Sequence, residues 1–258
     1  MASYQDHMVV LKARAYRDYD SLVTLFGLKS GKIAAIAKGA RRPKSALSGR
    51  ISPLSYSQVG LYRGRSGLET VTEAELVEGF ARIAADLTRI SWGMALADLV
   101  DELWEEREAS PATFSVLVAA LEALNDGRPA TGTGLAAGWQ LLGIAGYLPD
   151  LNHCGRCHRP VDNGPVEVAL AQPAVYCGRC QSAERVAGRI QISLGSLRSL
   201  QYWVALPPKR LGQGEAKGQI KEECLGLWLR FARWQLGRSP RSFEFLNTVE
   251  APDVSPRK

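Results

Sequence analysis

Ser21-Leu-Val-Thr-Leu-Phe-Gly-Leu-Lys-Ser-Gly-Lys-Ile-Ala-Ala-Ile-Ala-Lys-Gly-Ala-Arg-Arg-Pro-Lys44 decides the fold. Ser21–Phe26 is a β-branched and apolar run, Gly27–Gly31 ends it, and Lys32–Ala37 is a second strand. Lys38–Lys44 must then be a loop, by its Gly and Pro. Upstream, Val9, Leu11, Ala13 and Ala15 alternate with Val10, Lys12, Arg14 and Tyr16, which predicts a half-buried strand over residues 7–16. Asp18–Asp20 reads as a polar turn. Downstream, Leu54–Tyr62 and Leu68–Leu76 are two more strands, parted by Arg63-Gly-Arg-Ser-Gly67. Five short strands in about 75 residues, with no second set to make a sandwich, predict a small closed barrel. The five-stranded OB barrel is the common solution of that kind, and it binds oligonucleotides.

The same stretch is one-signed in charge. Between Ser21 and Leu68 there is no aspartate or glutamate, yet Lys29, Lys32, Lys38, Arg41, Arg42, Lys44, Arg50, Arg63 and Arg65 all fall there. Such clustering raises local potential unless an anion relieves it. A phosphate backbone suits it, because binding then releases condensed counterions. Arg14, Lys32, Lys38, Arg41, Arg42, Lys44, Arg50, Arg63 and Arg65 are therefore the candidate DNA-contacting residues. The competing reading is a solvated basic face with no ligand. Tyr16, Phe26, Tyr56 and Tyr62 are the aromatics available for base stacking, although Phe26 suits the barrel core better by its apolar neighbours. A phosphate loop is not present at Gly27–Ile33. Three residues rather than four part the glycines, and Ile33 stands where magnesium needs a hydroxyl.

The 258 residues divide by charge into three parts. Residues 1–78 carry 12 basic and 7 acidic side chains, residues 79–150 carry 4 and 10, and residues 151–258 carry 16 and 9. The opening residues lack the basic and apolar pattern of a secretory signal, and no apolar run approaches a membrane span, so a cytoplasmic protein is expected. Gly134–Tyr147, with Gln140 inside it, reads as a buried helix instead.

Residues 79–150 form the first part of a helical domain. From Phe80 to Glu108, Ile83, Leu87, Ile90, Met94, Ala97, Val100 and Trp104 recur at helical steps. Asp98, Asp101, Glu102, Glu105, Glu106 and Glu108 then fit a solvated helix face, since no His, Ser or Cys partner accompanies them. Ser110-Pro111 opens a further helix, Asn125-Asp-Gly127 stops it, and Thr131–Gly134 reads as a flexible link.

Cys154-Gly-Arg-Cys157 and Cys177-Gly-Arg-Cys180, with 19 residues between the pairs, have the spacing of a structural zinc site. Two disulfides or an empty site are the alternatives. Cys154, Cys157, Cys177 and Cys180 would fill the shell of one Zn2+, leaving no open position for catalysis. The His-x-Glu of a deaminase is absent, and no catalytic constellation appears elsewhere. This module spans residues 151–182. Residues 183–246 are the second part of the helical domain. Ser193 caps one helix, and a second runs over Gln219–Leu236 with Ile220, Cys224, Leu227, Phe231 and Trp234 on its buried stripe. Residues 247–258 read as a flexible tail, frayed from Ala251 onward.

Taken together the chain resembles the bacterial recombination mediator family RecO. Leu11-Lys-Ala-Arg-Ala-Tyr-Arg-Asp-Tyr-Asp-Ser-Leu-Val-Thr-Leu-Phe26 and Gly31-Lys-Ile-Ala-Ala-Ile-Ala-Lys-Gly-Ala-Arg-Arg-Pro-Lys-Ser45 carry the likeness. Gly146-Tyr-Leu-Pro-Asp-Leu-Asn-His-Cys-Gly-Arg-Cys157 and Ser242-Phe-Glu-Phe-Leu246 extend it. The resemblance implies an α+β multidomain protein, with an N-terminal OB-type barrel and a helical domain carrying a four-cysteine zinc module. It implies binding of single- and double-stranded DNA and annealing of complementary strands. It implies RecR and single-strand-binding protein as partners, with RecA served indirectly. The basic surface of that family carries over to Lys38, Arg41, Arg42 and Lys44; Arg14, Lys32, Arg50, Arg63 and Arg65 rest on charge alone. The reading that competes is a zinc-ribbon adaptor that binds proteins only.

Overall fold

The computed structural model describes residues 2–64, 67–181 and 188–251. Strands β1 (Ala2–Tyr16), β2 (Asp20–Gly27), β3 (Gly31–Ala37), β4 (Tyr56–Arg63) and β5 (Glu69–Glu78) close into a barrel in the order β1-β2-β3-β5-β4. Of the barrel's pairings among the described residues, β3–β5 is parallel and the other four are antiparallel. Each strand forms where alternation puts apolar side chains inward: Met8, Val10, Val23, Leu25, Ile33, Ala35, Val59, Leu61 and Val71 fill the interior. The OB-type barrel expected from the strand pattern is therefore present.

The register shifts in β5 opposite Gly60/Leu61 and in β1, and the shift in β1 matters for the site. A bulge in β1 leaves Leu11 without a partner on β2, since Val10 pairs with Leu25 and Lys12 with Thr24. Val10 and Ala13 consequently both point into the barrel, while Val9 and Leu11 point out of it. The single buried face expected for Val9, Leu11, Ala13 and Ala15 is thus corrected to a strand buried on both faces. Phe26 shares the outward side and meets Trp104 with ring centroids 6.2 Å apart. It lies in the core, as its neighbours suggested, but in the core outside the barrel.

That outer core belongs, among the described residues, to seven α-helices: α1 (Ala81–Ala84), α2 (Leu87–Leu103), α3 (Pro111–Asn125), α4 (Ala130–Ile144), α5 (Leu194–Ala205), α6 (Gly218–Leu236) and α7 (Arg241–Glu250). Asp86, Ser110 and Ser193 cap α2, α3 and α5 by accepting from Arg89, Thr113 and Ser196 backbone N–H groups. The expected helix over residues 80–108 is two helices, and Trp104–Glu108 leave helical geometry to reach the barrel, where the Arg107 N–H donates to Lys32 O at 2.9 Å. Thr131–Gly134 is no link but the first turn of α4. Gly134 and Gly138 lie flush against the indoles of Trp92 and Trp228, a closeness that any side chain would forbid. Gln140 is accommodated inside by donating to Trp203 O and Leu206 O. No helix among the described residues is long and apolar enough to cross a membrane.

Strands β6 (Val166–Ala169), β7 (Ala174–Tyr176) and β8 (Arg189–Ile192) form a three-stranded sheet in the order β7-β6-β8. The module's sheet therefore runs past residue 182. Val161, Val166, Val168 and Val175 join the same core as α2 and α4, so the module is packed onto the helices. At the other end of the chain α7 continues to Glu250, which is buried and accepts from Trp92 Nε1 at 2.6 Å and Thr131 Oγ1 at 2.7 Å. Residues 247–250 are thus part of the helical body; 252–258 lie outside the described residues. Trp234 departs from the stripe expected for α6, being 50% exposed.

Candidate nucleic-acid interface and metal centre

Residues opposite one another in a barrel share a face, so the strand register lays out the outer surface row by row. Arg14, Leu22, Ile36, Thr70 and Tyr62 form one row across five strands. Lys12, Thr24 and Ala34 form the next, and Val9, Phe26 and Lys32 the one after. The third row is covered by Trp104 and the helices. The first row is open, with Arg14 exposed and the other four half-buried.

Above the open row, two connections meet. The turn joining β1 and β2 presents Arg17, Asp18 and Tyr19; the loop after β3 presents Lys38, Arg41, Arg42 and Lys44. Backbone bonds fasten them, the Arg41 N–H donating to Tyr19 O at 2.9 Å and the Gly39 N–H to Asp20 Oδ1 at 2.8 Å. Arg42 stacks over the Tyr19 ring at 5.7 Å and Arg17 over Tyr16 at 5.2 Å. Arg17 and Lys44 hold positive φ, of 52° and 62°, a backbone state that non-glycine residues seldom keep. Among the described residues no carboxylate lies within 4.0 Å of Arg14, Lys38, Arg41, Arg42 or Lys44.

The other candidates lie elsewhere. Lys32 sits at the helical junction, where its ammonium binds the Asp101 backbone oxygen and lies 3.5 Å from the Asp101 carboxylate. Arg50 turns toward β5, donating to Ala74 O at 3.0 Å, and walls a groove of about 550 Å³ with Gln5, Gln58, Glu73 and Glu75. Arg63 is exposed at the far end of β4. Arg65 lies outside the described residues. The structure thus gathers Lys38, Arg41, Arg42 and Lys44 above Arg14, and adds Arg17 and Tyr19. The signal for Tyr19 was present as an aromatic side chain in a turn otherwise made of charges.

The acidic group on α2 is likewise not a merely solvated face. Lys12 reaches Asp98 at 3.0 Å and Asp101 at 2.7 Å, and Arg238 Nε donates to Glu102 at 2.9 Å. Burial disfavours the Lys12 ammonium, but the bonds to Asp101 and Asp98 outweigh it and hold its pKa above the ordinary lysine value. Glu69, 1% exposed, accepts from Tyr4 Oη at 2.7 Å and Arg107 at 2.6 Å. The Lys12 pairs with Asp98 and Asp101 and the Arg107 pair with Glu69 weld the barrel to the helical part.

In the module the four cysteine sulfurs lie within 4.8 Å of one another, with Cys157 and Cys177 Sγ 3.9 Å apart. A tetrahedron of sulfurs about 2.3 Å from a zinc ion has edges of about 3.8 Å, so the set fits such an ion. None of the four is disulfide-bonded. Burial pushes the Cys154 thiol up, but the backbone N–H groups of Cys157, Cys177 and Arg156 bring it down to about 6. Cys180, hydrogen-bonded to Cys157 and partly desolvated, is pushed up to about 12. His153 is engaged by Asp150 at 2.9 Å, outside the sulfur set. Cys224 is buried in α6 beside Ser196, apart from the cluster.

Comparison with known proteins agrees with this architecture. The family model for the recombination protein O N terminal domain matches residues 1–80, and that for the C terminal domain matches residues 84–244. The chain is 28% identical over 251 residues to a DNA repair protein RecO of Desulforamulus reducens, covering 96% of each. It is 34% identical to that of Heliobacterium modesticaldum, over 83% of this chain and 78% of the relative. Against that of Bacillus subtilis it is 30% identical over 88% and 91%. A closed barrel matched by one domain model and a helical body matched by the other place the chain in the RecO family of DNA repair and recombination proteins.

Proposed function

We propose that this chain binds single- and double-stranded DNA, anneals complementary strands and, with RecR, helps RecA onto DNA covered by single-strand-binding protein. The observation that carries the DNA part is the group Arg14, Lys38, Arg41, Arg42 and Lys44, collected on one open surface and free of carboxylate partners among the described residues. Annealing needs no catalytic residue. Cations that neutralise phosphates on two strands lower their repulsion, and base pairing supplies the drive. The protein acts as a mediator in the cytoplasm, at the nucleoid, and not as an enzyme. The four cysteines hold one structural Zn2+, which clamps the module of β6 and β7 onto the helices. The part played with RecR, RecA and single-strand-binding protein rests on family membership.

Replacing Arg41, Arg42 and Lys44 together by Glu tests the reading. All three are exposed, so the variant is expected to melt as the parent does. Its affinity for single-stranded DNA and its annealing rate are expected to fall at least about 100-fold, as favourable phosphate contacts become repulsions. Unchanged binding, or a parent protein that captures only proteins, would favour the adaptor reading instead.

A further inference from the structure

We propose that Tyr19 is a stacking platform for one unpaired base, so that the basic surface distinguishes single strands from duplex. This inference rests on the DNA-binding reading and adds a residue and a ligand group to it. Tyr19 is 52% exposed at the tip of a hairpin, where a large aromatic ring buries little of itself. It is also held in place: its carbonyl accepts from the Arg41 N–H, and Arg42 lies over its ring. The next residue, Asp20, accepts from the Gly39 N–H, and the Asp18 carbonyl accepts from Arg41 at 3.4 Å. The turn and the basic loop therefore form one unit, with an aromatic surface fixed among cations.

Those two features are what an unpaired nucleotide requires. Its phosphate takes the guanidinium or ammonium groups, and its base covers an aromatic ring. Every base has a π-face, so the contact does not depend on sequence. In a duplex both faces of each base are already stacked, so the ring gains nothing there. Asp18, exposed in the same turn, is a like-charged group toward the phosphates, while the Asp20 carboxylate is engaged by the Gly39 N–H.

The test compares the parent, Tyr19→Ala and Tyr19→Phe by fluorescence anisotropy. The probes are a short oligothymidylate, an abasic oligomer of equal length and a duplex. Tyr19→Ala is expected to weaken binding of the oligothymidylate by about fivefold to 100-fold. Binding of the abasic oligomer and the duplex should stay as in the parent, as should the dependence on salt. Tyr19→Phe should retain parental affinity, since the ring and not the hydroxyl makes the contact. Asp18→Asn should tighten all three probes alike. Equal losses on all three probes with Tyr19→Ala, or no loss on any, would overturn the role of Tyr19 while leaving the DNA-binding surface standing. Failure of the parent to bind any of the three would remove both.

Discussion

Lys12 and Arg14 lie two residues apart on the same strand and the same outer face, yet they meet opposite surroundings. Lys12 falls among Asp98 and Asp101 of α2; Arg14 falls in the open row, with no carboxylate near it among the described residues. Lys32 and Lys38 repeat the contrast on β3 and its loop. One end of the barrel spends its cations on joining two parts of the protein. The other keeps them for an anion from outside. Charge counted along the chain does not separate the two ends, because the neutralising carboxylates arrive from 69 to 90 positions away.

The metal module belongs to neither end and provides the largest test of the division. Removing the ion with a chelator, or replacing Cys154 by Ser, is expected to unfold the module and its share of the helical core. Structural zinc in small domains is worth roughly 10 kcal/mol or more of folding free energy. Differential scanning calorimetry should show a large fall in Tm, while barrel affinity for DNA, measured well below the melt, changes little. A metal-free protein that melts as before would contradict the clamp.

Exchanging partners at the two ends gives the next effect. Lys12→Met leaves Asp98 and Asp101 facing each other and is expected to cost about 1–3 kcal/mol in denaturant unfolding, reduced for the lysine's partial exposure. Its DNA affinity should be unchanged. Arg14→Met should do the reverse, leaving stability alone and lowering single-strand affinity by a few-fold with a shallower salt slope. If both variants behaved alike, the two ends would not be distinct.

The smallest effect lies away from the barrel, at Glu223 between α5 and α6. Burial pushes this carboxylate up, but bonds from Ser196 Oγ and the Ser193 N–H pull it below the usual range. A depressed folded-state pKa adds stability above the unfolded value near about 4.3 and loses it as pH falls through the folded value. Glu223→Gln is therefore expected to cost about 1 kcal/mol at neutral pH, screened by its exposure. The gap between parent and variant should close in strong acid. A gap that widened there would reverse the assignment.

What the sequence displayed was local. The barrel strands follow from alternation, and the cysteine pairs from spacing across 19 residues. The bulge at Leu11 was hidden, because one extra residue leaves the apolar pattern intact while turning its faces around. With it were hidden the outward burial of Val9 and Phe26, and the docking of the helices on the barrel. Gly134 reads as a flexible residue until Trp92 is found lying against it. Lys32 reads as a free cation until Asp101 is found beside it. Tyr19 reads as part of a polar turn until the loop after β3 is seen to fasten onto it. In each case the deciding partner is distant in the chain.

Anisotropy of a fluorescent single strand across a salt series tests the open end of the barrel most directly. The expected result is an affinity whose logarithm falls linearly with the logarithm of salt, at a slope near −0.7 for each phosphate contacted. The slope should be shallower in the variant with Arg41, Arg42 and Lys44 replaced. An affinity indifferent to salt, or a slope that survives those replacements, would contradict it.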